Sequence, residues 1–247
     1  MDALTIAATS GLRSRMESLD LLANNLANAA TSGFKSDREF YGLYASANSD
    51  DGVTGAPSST LPVVERQWTD FSAGELQVTG NPMDVALSGS GFFVVNGPNG
   101  PLYTRNGNLQ ILASGELATA EGYPLVTADG QTIHVTSNTP VVIAPNGTLS
   151  QNNQLIGQLQ VVDFKSTLSL SKQGRTCFKN TDPKNLPVTP AAVDVEQGKI
   201  EGSNVPVAQA AMHLVGVMRQ FEMLQKAIGV SNDMDTKTIQ EVARVGS

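Results

Sequence analysis

Seven-residue apolar spacing at both ends of the chain, with turn-punctuated sequence between, constrains the fold more than any other feature. Leu12, Leu19 and Leu26 lie seven apart, with Met16, Ala23 and Ala30 four residues after each. Toward the other end Val207, Leu214, Phe221 and Ile228 repeat at the same interval, with Ala211 and Met218 in the alternating positions. A 3-4 alternation sets such residues on one stripe of a helix and suits knobs-into-holes pairing. The spacing predicts amphipathic helices from about residue 3 to 30 and from about 204 to 242. Two such stripes at opposite ends fit poorly into a single core. They predict termini that come together, or that join the termini of other copies.

The middle reads as short strands. Met83–Leu87, Phe92–Val95, Leu102–Thr104, Leu109–Leu112, Leu117–Thr119, Pro124–Thr127, Thr132–Val135, Val141–Ala144 and Gln158–Phe164 are apolar or β-branched runs. Gly97-Pro98-Asn99-Gly100, Asn106-Gly107, Ser114-Gly115, Asp129-Gly130 and Asn146-Gly147 separate them. Turns at such short intervals imply antiparallel hairpins or a meander and not βαβ units. Ala45 to Thr60 holds one large apolar residue, Val53, and predicts a mobile loop. Thr181 to Ala192, with three prolines, predicts an irregular return path. Gly33 is placed for a left-handed conformation after the first helix. Ser203 or Asn204 is placed to cap the second, with Pro206 in its first turn.

Composition removes several function classes. A net charge of -7 without a basic cluster argues against nucleic acid and anionic membrane surfaces, since phosphate neutralisation needs grouped Lys and Arg. The single cysteine, Cys177, excludes an intrachain disulfide and a multi-cysteine metal site, and reads as a half-buried small residue. No basic segment followed by a continuous apolar run marks a cleavable signal, and no stretch approaches the roughly 18 apolar residues that span a membrane.

No catalytic constellation is visible. Of the two histidines, His134 alternates with apolar neighbours in a strand and is expected to face solvent, and His213 lies beside the apolar stripe of the second helix. A nucleophile poised by an oriented base is missing. Ser88-Gly89-Ser90-Gly91 is followed by a strand where a phosphate loop needs a helix N-terminus, so it reads as a tight turn. Asp50, Asp51 and Asp70 are scattered through loop sequence, and Asp84 is placed to anchor a turn. The reading is of a non-enzyme with no cofactor and no metal site. The competing reading, a secreted β-rich glycan-binding or hydrolytic module, needs aromatic platforms or clustered acids, and the chain offers one Trp and four Tyr.

Four motifs carry a family resemblance. Ala23-Asn24-Asn25-Leu26-Ala27-Asn28, followed by Thr31-Ser32-Gly33-Phe34-Lys35, closely resembles the N-terminal signature of bacterial flagellar rod and hook proteins. Gly80-Asn81-Pro82-Met83-Asp84-Val85-Ala86-Leu87, running into Gly89-Ser90-Gly91-Phe92-Phe93-Val94-Val95, resembles the family's central motif. Tyr103-Thr104-Arg105-Asn106-Gly107 and Glu201-Gly202-Ser203-Asn204-Val205 continue the match in the expected order. Pro206 departs from the asparagine usual after Ser-Asn-Val. The opening Met1-Asp2 and the ending Ile239–Val245 are more similar to the proximal rod type, with the distal rod type as alternative.

The resemblance implies a structural subunit of the rod that transmits torque from motor to hook. It implies export without cleavage through the flagellum-specific type III pathway and a place in the basal body, in the periplasmic space. Implied partners are further copies, neighbouring rod and hook-basal-body proteins and the export apparatus, with no small-molecule substrate, nucleic acid or membrane insertion. The expected fold is α+β, its terminal helices pairing as a coiled coil around a central antiparallel β-rich domain. The segments are residues 1–35 (assembly helix), 36–80 (extended linker), 81–192 (β-rich domain) and 193–247 (second assembly helix and its lead-in). The expected assembly interface is Leu12, Met16, Leu19, Asn24, Asn25, Leu26, Asn28, Val207, Leu214, Phe221 and Ile228, with the asparagines fixing register between subunits.

Overall fold

A computed structural model describes residues 3–45, 60–136 and 139–245. The expectation of a mobile loop at Ala45–Thr60 thus falls, apart from its two end residues, outside the described residues, as do Asp50 and Asp51. Two helices flank a strand-rich middle: α1 spans Ala3–Ala27 and α2 spans Val207–Val245. The chain divides into two compact units. One comprises residues 1–27, 37–68 and 206–247, and the other residues 28–36 and 69–205.

The first unit holds α1, α2 and a two-stranded sheet of Asp37–Ala45 and Thr60–Thr69. Asn25 fastens the end of α1 to the start of this sheet. Its Nδ2 donates to the Asp37 carbonyl at 2.8 Å, and the Asp37 amide donates back to its Oδ1 at 2.9 Å. Arg38 lies over the Trp68 ring, 5.8 Å from its centroid.

The second unit is built on a five-stranded antiparallel sheet, ordered Val161–Val162, Phe92–Gly97, Gly100–Thr104, Cys177–Asn180, Leu170–Gln173. The run Phe92-Phe93-Val94-Val95 is buried throughout because both faces of this sheet are covered. Alternation sends Phe93 and Val95 into one core, with Leu117, Leu125, Ile133 and Leu149. Phe92 and Val94 enter another, with Tyr103, Phe164 and Phe178. That smaller core is an aromatic cluster, with Phe71 edge-on to Phe92 and Phe178 at centroid distances of 5.6 and 4.9 Å. A three-stranded sheet (Gln154–Gln158, Thr148–Gln151, Val141–Ile143) and paired strands complete the unit.

The expected α+β coiled-coil architecture is corrected. Among the described residues there are two α-helices and antiparallel sheets dominate, 37% strand against 26% helix, and no coiled-coil pair is shown. The physical reason lies in α1. Its buried positions are Gly11, Ser14, Ser18, Leu21, Leu22 and Asn25, mostly small or polar. Such residues cannot supply the large apolar knobs that interdigitation requires. They permit close approach instead: a Cβ on Gly11 would stand 3.5 Å from Leu224 Cδ1 of α2.

Several strands also differ from their reading. Gln158–Phe164 is not one strand but two pieces, Gln154–Gln158 and Val161–Val162, because the Leu159 and Gln160 amides turn away to the Gly147 and Val126 carbonyls. Pro124–Thr127 and Thr132–Val135 make only isolated bridges. The turn glycines behave as read at Gly115, Gly130 and Gly147, whose φ angles lie between 79° and 83°.

Candidate assembly interface

The segments leading out of α1 and into α2 meet within the second unit, at a buried ion cluster. Glu201 is 1% exposed and receives three donors on its carboxylate. Lys35 Nζ lies 2.5 Å from Oε1, the Gly74 amide 2.9 Å from the same oxygen, and Arg105 Nη1 3.1 Å from Oε2. Lys35, fully buried, also donates to the Ser72 carbonyl at 2.7 Å, and Arg105 Nη2 to the Gly89 carbonyl at 2.7 Å. Burial lowers the Lys35 pKa below its ordinary 10.5, with the nearby Arg105 charge adding to the effect and Glu201 opposing it. A buried charge of this kind is tolerated only when paired and hydrogen-bonded, as these are.

Backbone and amide bonds close the same junction. The Gly33 amide donates to the Glu201 carbonyl at 2.8 Å, and the Gly202 amide to the Glu75 carbonyl at 2.8 Å. Asn204 accepts from the Ser36 amide at 2.7 Å and donates to the Asp70 carbonyl at 2.8 Å. Neither predicted cap therefore caps α2: Asn204 is committed here, and Ser203 Oγ accepts from the Val205 amide. The first helical carbonyl is that of Pro206, which accepts from the Ala210 amide. Gly33 takes φ +69°, as expected, though six residues beyond the last residue of α1, and a Cβ there would fall 2.3 Å from the Asn106 nitrogen. Three motifs recognised separately in sequence thus supply one cluster through Lys35, Arg105 and Glu201. Sequence reasoning assigned none of them a role. The available signal was a charged residue inside otherwise apolar or glycine-rich motif sequence.

The expected interface residues are divided by the structure. In α2 the covered stripe runs through Ala210, Leu214, Val217, Phe221, Leu224 and Ile228. Leu214, Phe221 and Ile228 lie on it, whereas Val207 is 51% exposed. The alternating positions are Ala210, Val217 and Leu224, one residue before the expected phase, which leaves Met218 outside. In α1, Leu12, Leu19 and Leu26 are half-buried and Met16 is 53% exposed. Among the asparagines, Asn25 is held by Asp37, Asn28 Oδ1 accepts from Thr31 Oγ1 at 3.3 Å, and Asn24 is exposed.

A second apolar face of α2 went unread. Met212, Met223, Val230 and Met234 are 58–69% exposed. At about 3.6 residues per turn they form one stripe opposite Leu214 and Phe221. Gly216 and Gly229 have no neighbouring atom within 4 Å of a built Cβ, so they do not serve close approach within the chain.

His134 and His213 are exposed. Asp84 anchors its turn by accepting from the Asn108 side-chain amide at 3.1 Å. Cys177 is fully buried and not half-buried as read, and its thiol is 3.2 Å from Glu121 Oε2. Burial first, and then the Glu121 carboxylate, push its pKa up to about 12. Among the described residues no group of three or more His, Cys, Asp or Glu side chains is placed to hold a metal ion, and no helix is long and apolar enough to cross a membrane.

Comparison with known proteins places this architecture. Residues 86–151 match the flagellar hook protein FlgE/F/G D1 domain, and residues 196–241 match the C-terminal region of the flagellar basal body rod FlgEFG proteins. The flagellar basal-body rod protein FlgG of Agrobacterium fabrum is 32% identical over 262 residues, covering 95% of this chain and 97% of its own. FlgG of Buchnera aphidicola subsp. Acyrthosiphon pisum is 31% identical over 253 residues, covering 93% and 96%. The rod protein FlgF of Mesorhizobium japonicum is 30% identical over 227 residues, covering 90% and 91%. The chain belongs to the flagellar basal-body rod protein family and is a structural subunit of the rod.

Proposed function

We propose that the chain polymerises into the rod through its two terminal helices, with copies of itself and neighbouring rod and hook proteins as partners. The observation that carries this is the two-sided apolarity of α2. One stripe packs within the chain, and the methionine-rich stripe on the other side is left exposed. Methionine is flexible and polarisable, and it packs against irregular partner surfaces. Burying one such side chain contributes roughly 1.5–3 kcal/mol. The half-buried leucines of α1 and Met16 add a second surface of the same kind. Leu12, Leu19 and Leu26 become fully covered on assembly, while Leu214, Phe221 and Ile228 hold the helices within a subunit. Register between copies is assigned to Asn24, Asn25 and Asn28, of which Asn24 is exposed.

The similarity of Met1-Asp2 and Ile239–Val245 to the proximal rod type supports the proximal position. Export proceeds through the flagellar type III apparatus without cleavage, and the subunit works as part of a tube that carries torque to the hook. Substituting M212D and M223D tests the reading: a deletion strain complemented with this variant builds no rod beyond the preceding subunit and does not swim. Normal rods from that variant would reject the helical mechanism. Electron microscopy of basal bodies from the deletion strain reads the position, and rods that stop near the hook would replace proximal with distal. Mass spectrometry of the subunit from basal bodies tests export without cleavage, and a shortened N-terminus would refute it.

A further inference from the structure

Charge is segregated on the second unit. From residue 76 to 163 Arg105 is the only Lys or Arg, and it is buried. From 164 to 181 stand four cations, Lys165, Lys172, Arg175 and Lys179, without one carboxylate. These cations belong largely to the hairpin Leu170–Gln173 and Cys177–Asn180, whose first strand is one edge of the five-stranded sheet. Lys172 lies 4.2 Å from the Phe34 ring centroid, while Arg175 and Lys179 are exposed. Among the described residues, Lys165, Arg175 and Lys179 make no ion pair. Glu121, at the foot of the hairpin, is occupied by Thr176 Oγ1 at 2.8 Å and by the Cys177 thiol.

The opposite edge of the same sheet is Val161–Val162. Beside it opens a cleft of about 560 Å³ whose walls include Val161, Pro190, Val193 and Asp194. Asp194 is exposed, and exposed Asp129 follows the lining residue Ala128. One sheet therefore carries the exposed cations Arg175 and Lys179 on the hairpin at one edge, and a cleft with exposed carboxylates beside the other. A surface of this kind is complementary to itself only head to tail, which is the heterologous contact that builds open helical arrays.

We propose that the basic hairpin of one copy docks on the acidic cleft edge of a second copy, with Arg175 and Lys179 facing Asp129 and Asp194. This contact rests on the reading of the chain as a polymerising rod subunit and gives that polymer its lateral order in the β layer.

The test is charge reversal in a deletion strain. R175E/K179E and D129K/D194K, each present alone, reduce swarming and rod yield roughly tenfold, and co-expression of the two restores both, because each copy then meets its complement. Thermal melts monitored by circular dichroism confirm that each variant folds. In isolated basal bodies, K179C/D194C gives a ladder of covalent oligomers on oxidation, whereas either single change gives none beyond dimers. Unimpaired swarming by the reversals, failure of co-expression to rescue folded variants, or no ladder overturns the contact. The M212D/M223D variant is run beside them. Rods built by that variant sink the helical reading itself, while a block there with normal reversals sinks the lateral contact alone.

Discussion

Glu201 is the residue on which most of the second unit's ends depend. Removing its charge leaves two buried cations without their anion, and breaking a buried pair in this way costs about 3–5 kcal/mol. E201Q should therefore lower the unfolding free energy measured in urea strongly, whereas E196Q should change it by less than about 0.5 kcal/mol, because the Lys199–Glu196 pair is partly exposed. Gly33 tolerates no side chain on two independent grounds, its positive φ and the Asn106 backbone, so Gly33→Ala should cost at least about 1–3 kcal/mol. Cys177 gives a pH signature. Its folded pKa is raised to about 12 from an ordinary 9.0, so the unfolded chain loses the proton first and stability falls as pH rises between those values. C177A should flatten that part of the stability profile, measured by chemical unfolding at pH 8 to 10.5. Motif residues such as Lys35 and Arg105 were visible in sequence as a family resemblance. Their convergence was not, because nothing local in the chain records a contact between residues 35 and 201.

The helices show what periodicity can and cannot decide. Both exist close to where seven-residue spacing put them, since a 3.6-residue period is a local property. Which stripe is covered is not local. In α1 the leucines lost the inner side to Gly11, Ser14 and Ser18, because a glycine allows the partner helix closer than a leucine does. In α2 the covered positions fall three residues after each heptad start where four was read, since both offsets flank the same line and only the partner selects between them. A prediction follows for the outward stripe. Replacing Met212 and Met223 by Gln should leave the unfolding free energy of the monomer within about 0.5 kcal/mol of the parent, since both are exposed. The same change should weaken assembly in sedimentation. L214D/F221D should lower both, because those side chains are covered within one chain.

At the scale of the whole molecule, the boundary between units falls at the helix ends, after Ala27 and before Pro206. Residues 28–36 follow α1 yet belong to the β-rich unit, and Lys35 completes its buried cluster. A chain starting at residue 28 and ending at 205 should keep the cooperative thermal transition of the β layer by circular dichroism. One starting at residue 37 should lose it, for want of Lys35, Phe34 and the Gly33 amide. The turn-punctuated middle was legible as antiparallel sheet because each hairpin is closed by its own glycine or asparagine. The order of strands across the five-stranded sheet was not legible, since it is set by pairings between segments far apart in the chain.

The ion cluster also dictates when such a molecule can finish folding. Any chain delivered N-terminus first presents Lys35 and then Arg105 long before their common counterion, which arrives only near the end of 247 residues. Until then the half-built sheet would have to enclose two bare cations, and the desolvation penalty keeps it open. Closure of the sheet around these cations therefore waits for Glu201.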